Sequence, residues 1–331
     1  MKQFSPISGT PSGGTPLIRG GVISALAAAG GYLGFSLWAG WREVFDALVA
    51  VGVSGMVAAL ALSLLNYGIR FVRWQAYLAA LGHPMAAAPS AVIYISGFAF
   101  TTTPGKAGEL LRGLFLGNHG IPIIRATAAF LSERLSDLLA VMLLSLPGLA
   151  LLPGGLPIVG AGLGVVVLIV VALGMGDHLN LLASRIDAQN VGIFSRAMRK
   201  LAFLLHEARR CHSLHLILVA TILSALAWSS EALAFYMVLV LLGFDPGIWY
   251  AISVYALSML AGAISFLPGG LGGAEAVMVG LLTLRGAPEP LAVAATIVIR
   301  MATLWFAVAL GLITVLIFEK HLKPAERRVE A

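Results

Sequence analysis

The sequence predicts an all-α integral membrane protein, with about six spanning helices plus two re-entrant helical hairpins in an inverted repeat. Three observations predict it. First, the 331 residues are 59% hydrophobic and only 11% charged, whereas a soluble domain is nearer a quarter charged. Second, two Pro-Gly stretches cut apolar regions: Thr101-Thr102-Thr103-Pro104-Gly105-Lys106-Ala107-Gly108-Glu109 and Leu267-Pro268-Gly269-Gly270-Leu271-Gly272-Gly273-Ala274-Glu275. Third, special residues recur at one offset. Glu109 and Glu275 (275 − 109), Pro122 and Pro288 (288 − 122), and Arg134 and Arg300 (300 − 134) are all 166 apart.

Taken in order, residues 1–18 are rich in Ser, Gly, Pro and Thr and read as a disordered cytoplasmic N-terminus. A single transmembrane domain follows over 19–318. A span needs about 20 apolar residues. Residues 21–40, 50–69, 126–146, 157–174, 214–242 and 291–318 qualify. The first resembles a signal sequence, but Trp38, Trp41 and the lack of a clear cleavage site favour an uncleaved helix. Regions 88–116 and 249–284 are each cut by a Pro-Gly stretch into halves of about 12 to 17 residues, too short to cross. A half-helix, a break and a second half-helix make a re-entrant hairpin. Irregular backbone at that depth must be buried in protein or line a wet cavity.

Loop charges fix the parity. With a cytoplasmic N-terminus, hairpin one enters from the cytoplasmic side and hairpin two from the outside. The basic loop 175–213 and the tail 319–331, with Lys320, Lys323, Arg327 and Arg328, then fall in the cytoplasm. Only Arg42 and Arg285 remain among the external connections. The halves, about 20–147 and 157–318, are then inverted copies, an architecture of many secondary transporters. The expected location is the cell inner (plasma) membrane, multi-pass, with both termini cytoplasmic. Within the basic loop, 193–206 has apolar residues at helical spacing. That fits an amphipathic helix on the anionic leaflet, or equally a solvated one.

The net charge of +6 is explained by the positive-inside bias, so no nucleic acid is expected. One cysteine, Cys211, excludes an internal disulfide framework. Asp177-His178 and His206 with His212 form no recognisable metal set, and no P-loop, nucleophile elbow or His-Glu-x-x-His is present. No cofactor or metal is expected.

Intramembrane charge is the remaining clue, because each such charge costs about 2.5–3.5 kcal/mol on insertion scales. Glu109, Glu133, Arg134, Asp137, Glu231, Glu275 and Arg300 all fall in or near apolar segments. Glu133, Arg134 and Asp137 share one helical stripe, and Glu109 and Arg112 are one turn apart. Glu275 is the nearest formal partner of Arg300. A charge network is expected between the hairpin tips and the two following helices. Two readings stay open. The pairs pin the hairpins, or Lys106, Arg134 and Arg300 attract an anionic head group while Glu109 and Glu275 orient them or take protons. Half-helix N-termini after Pro104 and Pro268 add positive dipole ends. Thr102, Thr103, Gly105, Gly108, Gly269, Gly270, Gly272 and Gly273 supply hydroxyls and flexible backbone around the same breaks. Arg70, Arg73 and Trp74, at the end of the second span, read first as an interface anchor, with lipid phosphate binding as the alternative.

Pro-Gly-Lys-Ala-Gly-Glu at 104–109, Glu133-Arg134 with Asp137, and Pro-Gly-Gly-Leu-Gly-Gly-Ala-Glu at 268–275 together resemble the flippase-like family named after the transmembrane region of lysylphosphatidylglycerol synthase. The resemblance runs from about residue 50 to 318. Members more often carry Arg where Lys106 stands. The resemblance implies an integral inner-membrane protein that moves or holds a lipid. In bifunctional members a separate soluble domain makes the aminoacylated lipid. This chain ends shortly after its last apolar run, so lysyltransferase activity is not expected of it. Stand-alone members resembling it sit in hopanoid pathways. The leading expectation is therefore a lipid transporter acting on an anionic phospholipid or an isoprenoid, hopanoid-type lipid. The alternatives are a membrane-embedded lipid-modifying enzyme using Glu133 and Asp137, or a non-catalytic scaffold. Lipid-biosynthesis enzymes or a second copy of the chain are the expected protein partners.

Overall fold

A computed structural model describes residues 41–103, 109, 111–149, 193–265 and 267–318, with isolated positions between 30 and 34 and between 160 and 171. Among these residues every regular element is helical. Helix α1 is Trp41–Ala80, broken at Gly52, whose φ is 67°. Helix α2 is Ala87–Ser96 and runs into a 3-10 turn, Gly97–Phe100. Next come α3 (Arg112–Gly117), α4 (Ile123–Leu149), α5 (Ile193–Arg209) and α6 (Leu214–Leu241). Helix α7 (Ile248–Ile264) leads through the turn Pro268–Gly270 to α8 (Gly273–Leu284). Helix α9 (Glu289–Arg300) continues through a π-helical turn, Met301–Trp305, into α10 (Phe306–Ile317).

Three of these stretches are long and apolar enough to cross a membrane: Trp41–Ala80, Leu214–Leu241 and Glu289–Ile317. The first contains the expected span 50–69, and the other two match 214–242 and 291–318 to within two residues at each end. Helix α4 covers the expected span 126–146 and has the length, but carries its charged stripe inside the protein. The expected spans 21–40 and 157–174 fall largely outside the described residues, as do 1–18, 175–192, the tail 319–331 and Pro104, Gly105, Lys106 and Gly108. Both interrupted regions are broken as predicted. Residues 87–100 and 112–117 flank the first break, and α7 and α8 flank the second. The amphipathic segment 193–206 lies within α5, which packs on α4.

One expectation is overturned. Helix α1 does not end near residue 69 but continues to Ala80, so Arg70, Arg73 and Trp74 lie mid-helix. Arg73 and Trp74 are each 1% exposed. They are core residues, not an interface anchor. Their burial is tolerated because carboxylates from α4 meet the guanidinium groups.

The two halves share local chemistry beyond the residues 166 apart. After α1, Leu81, Gly82 and His83 amides bond back to Tyr77, Ala79 and Leu78; after α6, Leu242, Gly243 and Phe244 bond back to Val238, Val240 and Leu239 in the same pattern. Gly82 and Gly243 both have φ of 81°, the left-handed conformation that closes a helix C-terminus. Here the offset is 161 (243 − 82). The second half thus holds five more residues than the first between this turn and the glutamate that follows its break (166 − 161 = 5).

Packing interlocks the halves. Helix α1 lies along α6, and each presents buried small residues, Ala59 and Ser63 on α1 and Ala220 and Ser224 on α6. Small residues let apolar helices approach closely. Helix α7, from the second hairpin, packs on α4 of the first half, while α10 of the second half packs on α2 and its 3-10 turn. A Cβ on Gly311 would lie 2.1 Å from the Ala99 amide nitrogen, so α10 rests backbone-to-backbone on hairpin one. On α4, Pro147 disturbs the helical ladder. Ser253 Oγ accepts from the Gly148 amide (2.8 Å) and sits 3.2 Å from the Leu144 carbonyl, filling the gap between them.

Candidate functional site

The sequence stripe on α4 becomes an ionic cluster. Asp137 receives Arg70 Nη2 at 3.1 Å, Arg73 Nη1 at 2.5 Å and the Trp228 indole N–H at 3.2 Å. Arg73 Nη1 also bonds Ser224 Oγ. Glu133 meets Arg112 Nη2 at 2.9 Å and Arg73 Nη2 at 3.6 Å. Arg112 Nη2 lies 3.5 Å from Glu109, and Arg134 Nη2 lies 3.5 Å from Glu109 and 3.4 Å from Asp137. Arg112 is further held by the rings of Trp74 (4.7 Å) and Tyr94 (5.2 Å). Its side chain passes Gly97, where a Cβ would lie 2.5 Å from Arg112 Cδ. That glycine is required by close approach rather than by a turn.

The second half builds a smaller cluster. Arg300 Nε meets Glu275 Oε1 at 2.6 Å, and Arg300 Nη2 donates to the Gly269 carbonyl at 2.8 Å. The other Glu275 oxygen accepts the Gly272 amide at 2.6 Å, capping the start of α8. A carboxylate in the first turn suits the helix dipole. Glu275 therefore ties the hairpin break, the helix N-terminus and Arg300 together.

The two breaks meet. A Cβ on Gly269 would lie 3.6 Å from the Thr102 methyl carbon, so Thr102, at the start of the first break, lies beside the second. Beside this contact is a cavity of about 290 Å³. Arg134 and Asp137 from α4, Gly269 and Gly270 from the second break, and Arg300 from α9 all line it. Trp228, Met259 and Leu304 supply apolar wall. Arg134 is the open member of the first cluster, with its side chain 26% exposed, against 4% for Arg112. Its Nε makes no hydrogen bond.

The other expected site residues are placed as follows. Glu109 borders a smaller neighbouring cavity. Thr102 is fully buried, and the Thr103 hydroxyl donates to the Phe100 carbonyl at 2.7 Å. Arg112 and Glu133 lie behind the cavity, among buried partners. Gly273 abuts Ser265, where a Cβ would come within 2.9 Å. Pro268 begins the turn of the second break. Sequence reasoning missed Arg70, Arg73, Trp228 and Met259 as neighbours of this site. The excess of acids over arginines on the α4 stripe was the available signal for the first two. Among the described residues no group of three His, Cys, Asp or Glu is placed to hold a metal.

Two proteins of Methanothermobacter thermautotrophicus (strain Delta H), both named UPF0104 membrane protein, are similar to this chain. One is 26% identical over 298 residues, covering 85% of this chain and 88% of the relative. The other is 26% identical over 293 residues, covering 81% and 87%. Residues 20–311 match the family described as the lysylphosphatidylglycerol synthase TM region. That match takes in both hairpins, both ionic clusters and the cavity between them, so the chain is a membrane protein that belongs to the lysylphosphatidylglycerol synthase TM region family.

Proposed function

We propose that this protein binds the anionic head group of a membrane lipid between its two hairpins and carries it across the inner membrane. One observation carries the reading: Arg134 and Arg300, which occupy the same position in the two halves, face a single cavity. Residues that far apart in sequence converge on one space because each half packs its hairpin on the other's long helix. Two guanidinium groups of fixed fork geometry suit a phosphate ester. A volume of about 290 Å³ admits a head group but not acyl chains. The tails would stay in the bilayer, against the exposed apolar side chains of α1 and α6 such as Val53, Val57, Leu218 and Ile222. A hopanoid or isoprenoid lipid with an anionic head meets the same requirements. In this reading the halves are inverted, both termini are cytoplasmic, and one half rocks against the other to expose the cavity alternately.

General acid–base chemistry at Glu133 and Asp137 is disfavoured by their surroundings. Each carboxylate is already engaged by two or more guanidinium groups, which occupy the oxygens that a substrate proton would need. The test of transport is leaflet redistribution of labelled phosphatidylglycerol in proteoliposomes. Wild-type protein should accelerate it and Arg134→Gln should not. Equal rates with and without the wild-type protein would discard the proposal.

A further inference from the structure

Behind the main cavity is a second, of about 50 Å³. Its wall includes Tyr67, Arg70, Thr101, Glu109, Glu231 and Tyr255. The two cavities share Trp228, Met259, Arg300 and Leu304, so Arg300 stands in the partition between them. A void of this size with several polar groups on its wall admits water, which needs only about 10–15 Å³. Glu231, on α6, is buried there, and Tyr255 Oη donates to its Oε2 at 2.7 Å. In the second half Glu231 takes the place that Arg70 holds in the first (231 − 70 = 161).

The partner of a carboxylate decides whether it exchanges protons easily. Glu109 is held by Arg112 and Arg134, each 3.5 Å away. A guanidinium only donates, so protonating that carboxylate sacrifices the contacts. A phenol both donates and accepts. Glu231 therefore can gain or lose a proton while Tyr255 stays bonded to it.

We propose that Glu231 is a proton-coupling site, taking up one proton when an anion enters the main cavity and releasing it when the anion leaves. The inference rests on the anion-binding reading above. An anion that engages Arg300 adds negative charge to the partition and draws the guanidinium toward itself. The field at the small cavity becomes more negative. An O–H bond then forms on the Glu231 carboxylate, with the proton supplied by solvent through the small cavity, and the pair enters with no net charge. Among the described residues, the polar groups that line the small cavity with Glu231 are Tyr255 on α7, Tyr67 and Arg70 on α1, Thr101 and Glu109 on hairpin one, and Arg300 and Thr303 at the α9 end. The tyrosines stay neutral and the arginines charged near neutral pH, which leaves the two carboxyls to titrate. By reciprocity, anion affinity must fall as pH rises through the Glu231 titration, by up to about tenfold per pH unit.

Calorimetric titration of the purified full-length protein with dihexanoyl phosphatidylglycerol, in two buffers of different ionisation enthalpy, tests this. Close to one proton should be taken up per anion bound. Glu231→Gln should bind the anion with no proton uptake and no pH dependence, and Glu109→Gln should retain uptake. Glycerol phosphate as a second probe separates a lipid head group from a free phosphate ester, and uptake with either supports the coupling. Binding without proton uptake by the wild type overturns the coupling and leaves the lipid-binding reading standing. Uptake that persists in Glu231→Gln also overturns it, and absence of any binding overturns both. Should Glu231→Gln fail to fold, Tyr255→Phe must shift the pH midpoint of uptake, and an unmoved midpoint rejects the site.

Discussion

Asn66 on α1 donates its Nδ2 to the backbone carbonyl of Ala227 on α6 at 2.7 Å, and the two positions are counterparts in the two halves, 161 residues apart. A residue touches its own counterpart only where two related halves cross. The α1–α6 crossing is therefore where the two halves meet, and Arg73 of α1 bonds Ser224 of α6 beside it. Asn66 is fully buried, and its replacement by Ala removes this bond while the Ala227 carbonyl keeps the Ser230 hydroxyl as donor. The expected loss is about 0.5–1.5 kcal/mol. Thermal unfolding in detergent should show a midpoint lower by several degrees, and an unchanged midpoint would show that the crossing does not depend on this bond.

Gly311 offers a sharper steric test. A Cβ there would overlap the Ala99 backbone, which has no flexible end to move aside. Gly311→Ala should cost about 1–3 kcal/mol or more through displacement of hairpin one. Gly280, inside α8, meets nothing within 4 Å. Gly280→Ala should instead stabilise by roughly 0.5–1 kcal/mol through helix propensity. Paired melting curves should move in opposite directions.

Much of this arrangement is legible in the sequence because its signals are local. Pro104-Gly105 and Pro268-Gly269 interrupt apolar runs, and Glu133, Arg134 and Asp137 fall on one face by spacing alone. The fate of Arg70 and Arg73 is not local. Hydropathy ends the second span before them, and only Asp137 and Glu133, sixty or more residues away, make their burial tolerable. The offset between the halves changes from 161 to 166 between Gly82 and Glu109, so the spacing that pairs the glutamates does not pair Arg70 with Glu231. The π-helical turn at Met301–Trp305 leaves no propensity signature.

Arg112 is bound to Glu133 at 2.9 Å and enclosed by Trp74 and Tyr94, so its role is to neutralise buried acid. Arg112→Met leaves Glu133 and Glu109 short of positive charge, at a cost of about 3–5 kcal/mol. Adding Glu133→Gln should recover part of that loss. A double-mutant cycle on unfolding free energy measures the coupling, and strict additivity would remove Arg112 from the network.

Cys211 lies in the turn between α5 and α6, 1% exposed, its thiol pushed up to about 12 by burial. A raised thiol pKa leaves the group protonated at neutral pH, and the reactive thiolate is scarce. Maleimide labelling at pH 7 should be more than about a thousandfold slower than for a free cysteine, and should become complete on denaturation. Rapid labelling of the folded protein would mean that the α5–α6 turn opens readily.

Arg134 separates the structural reading of the buried charges from the functional one. It shares Glu109 and Asp137 with better-placed arginines, is the more exposed member, and borders the main cavity. Arg134→Gln should therefore cost little stability, about 1 kcal/mol or less, since Arg70, Arg73 and Arg112 still hold the acids. Loss of one charge-assisted contact of about 1.5–3 kcal/mol should weaken anion binding by roughly ten- to a hundredfold. Arg112→Met should show the converse, a large loss of stability with the cavity itself intact. Calorimetry with a soluble phosphatidylglycerol, run beside thermal melts of both variants, distinguishes them. If Arg134→Gln melts early and binds normally, the α4 arginine is a structural pin and the ligand site must be sought elsewhere.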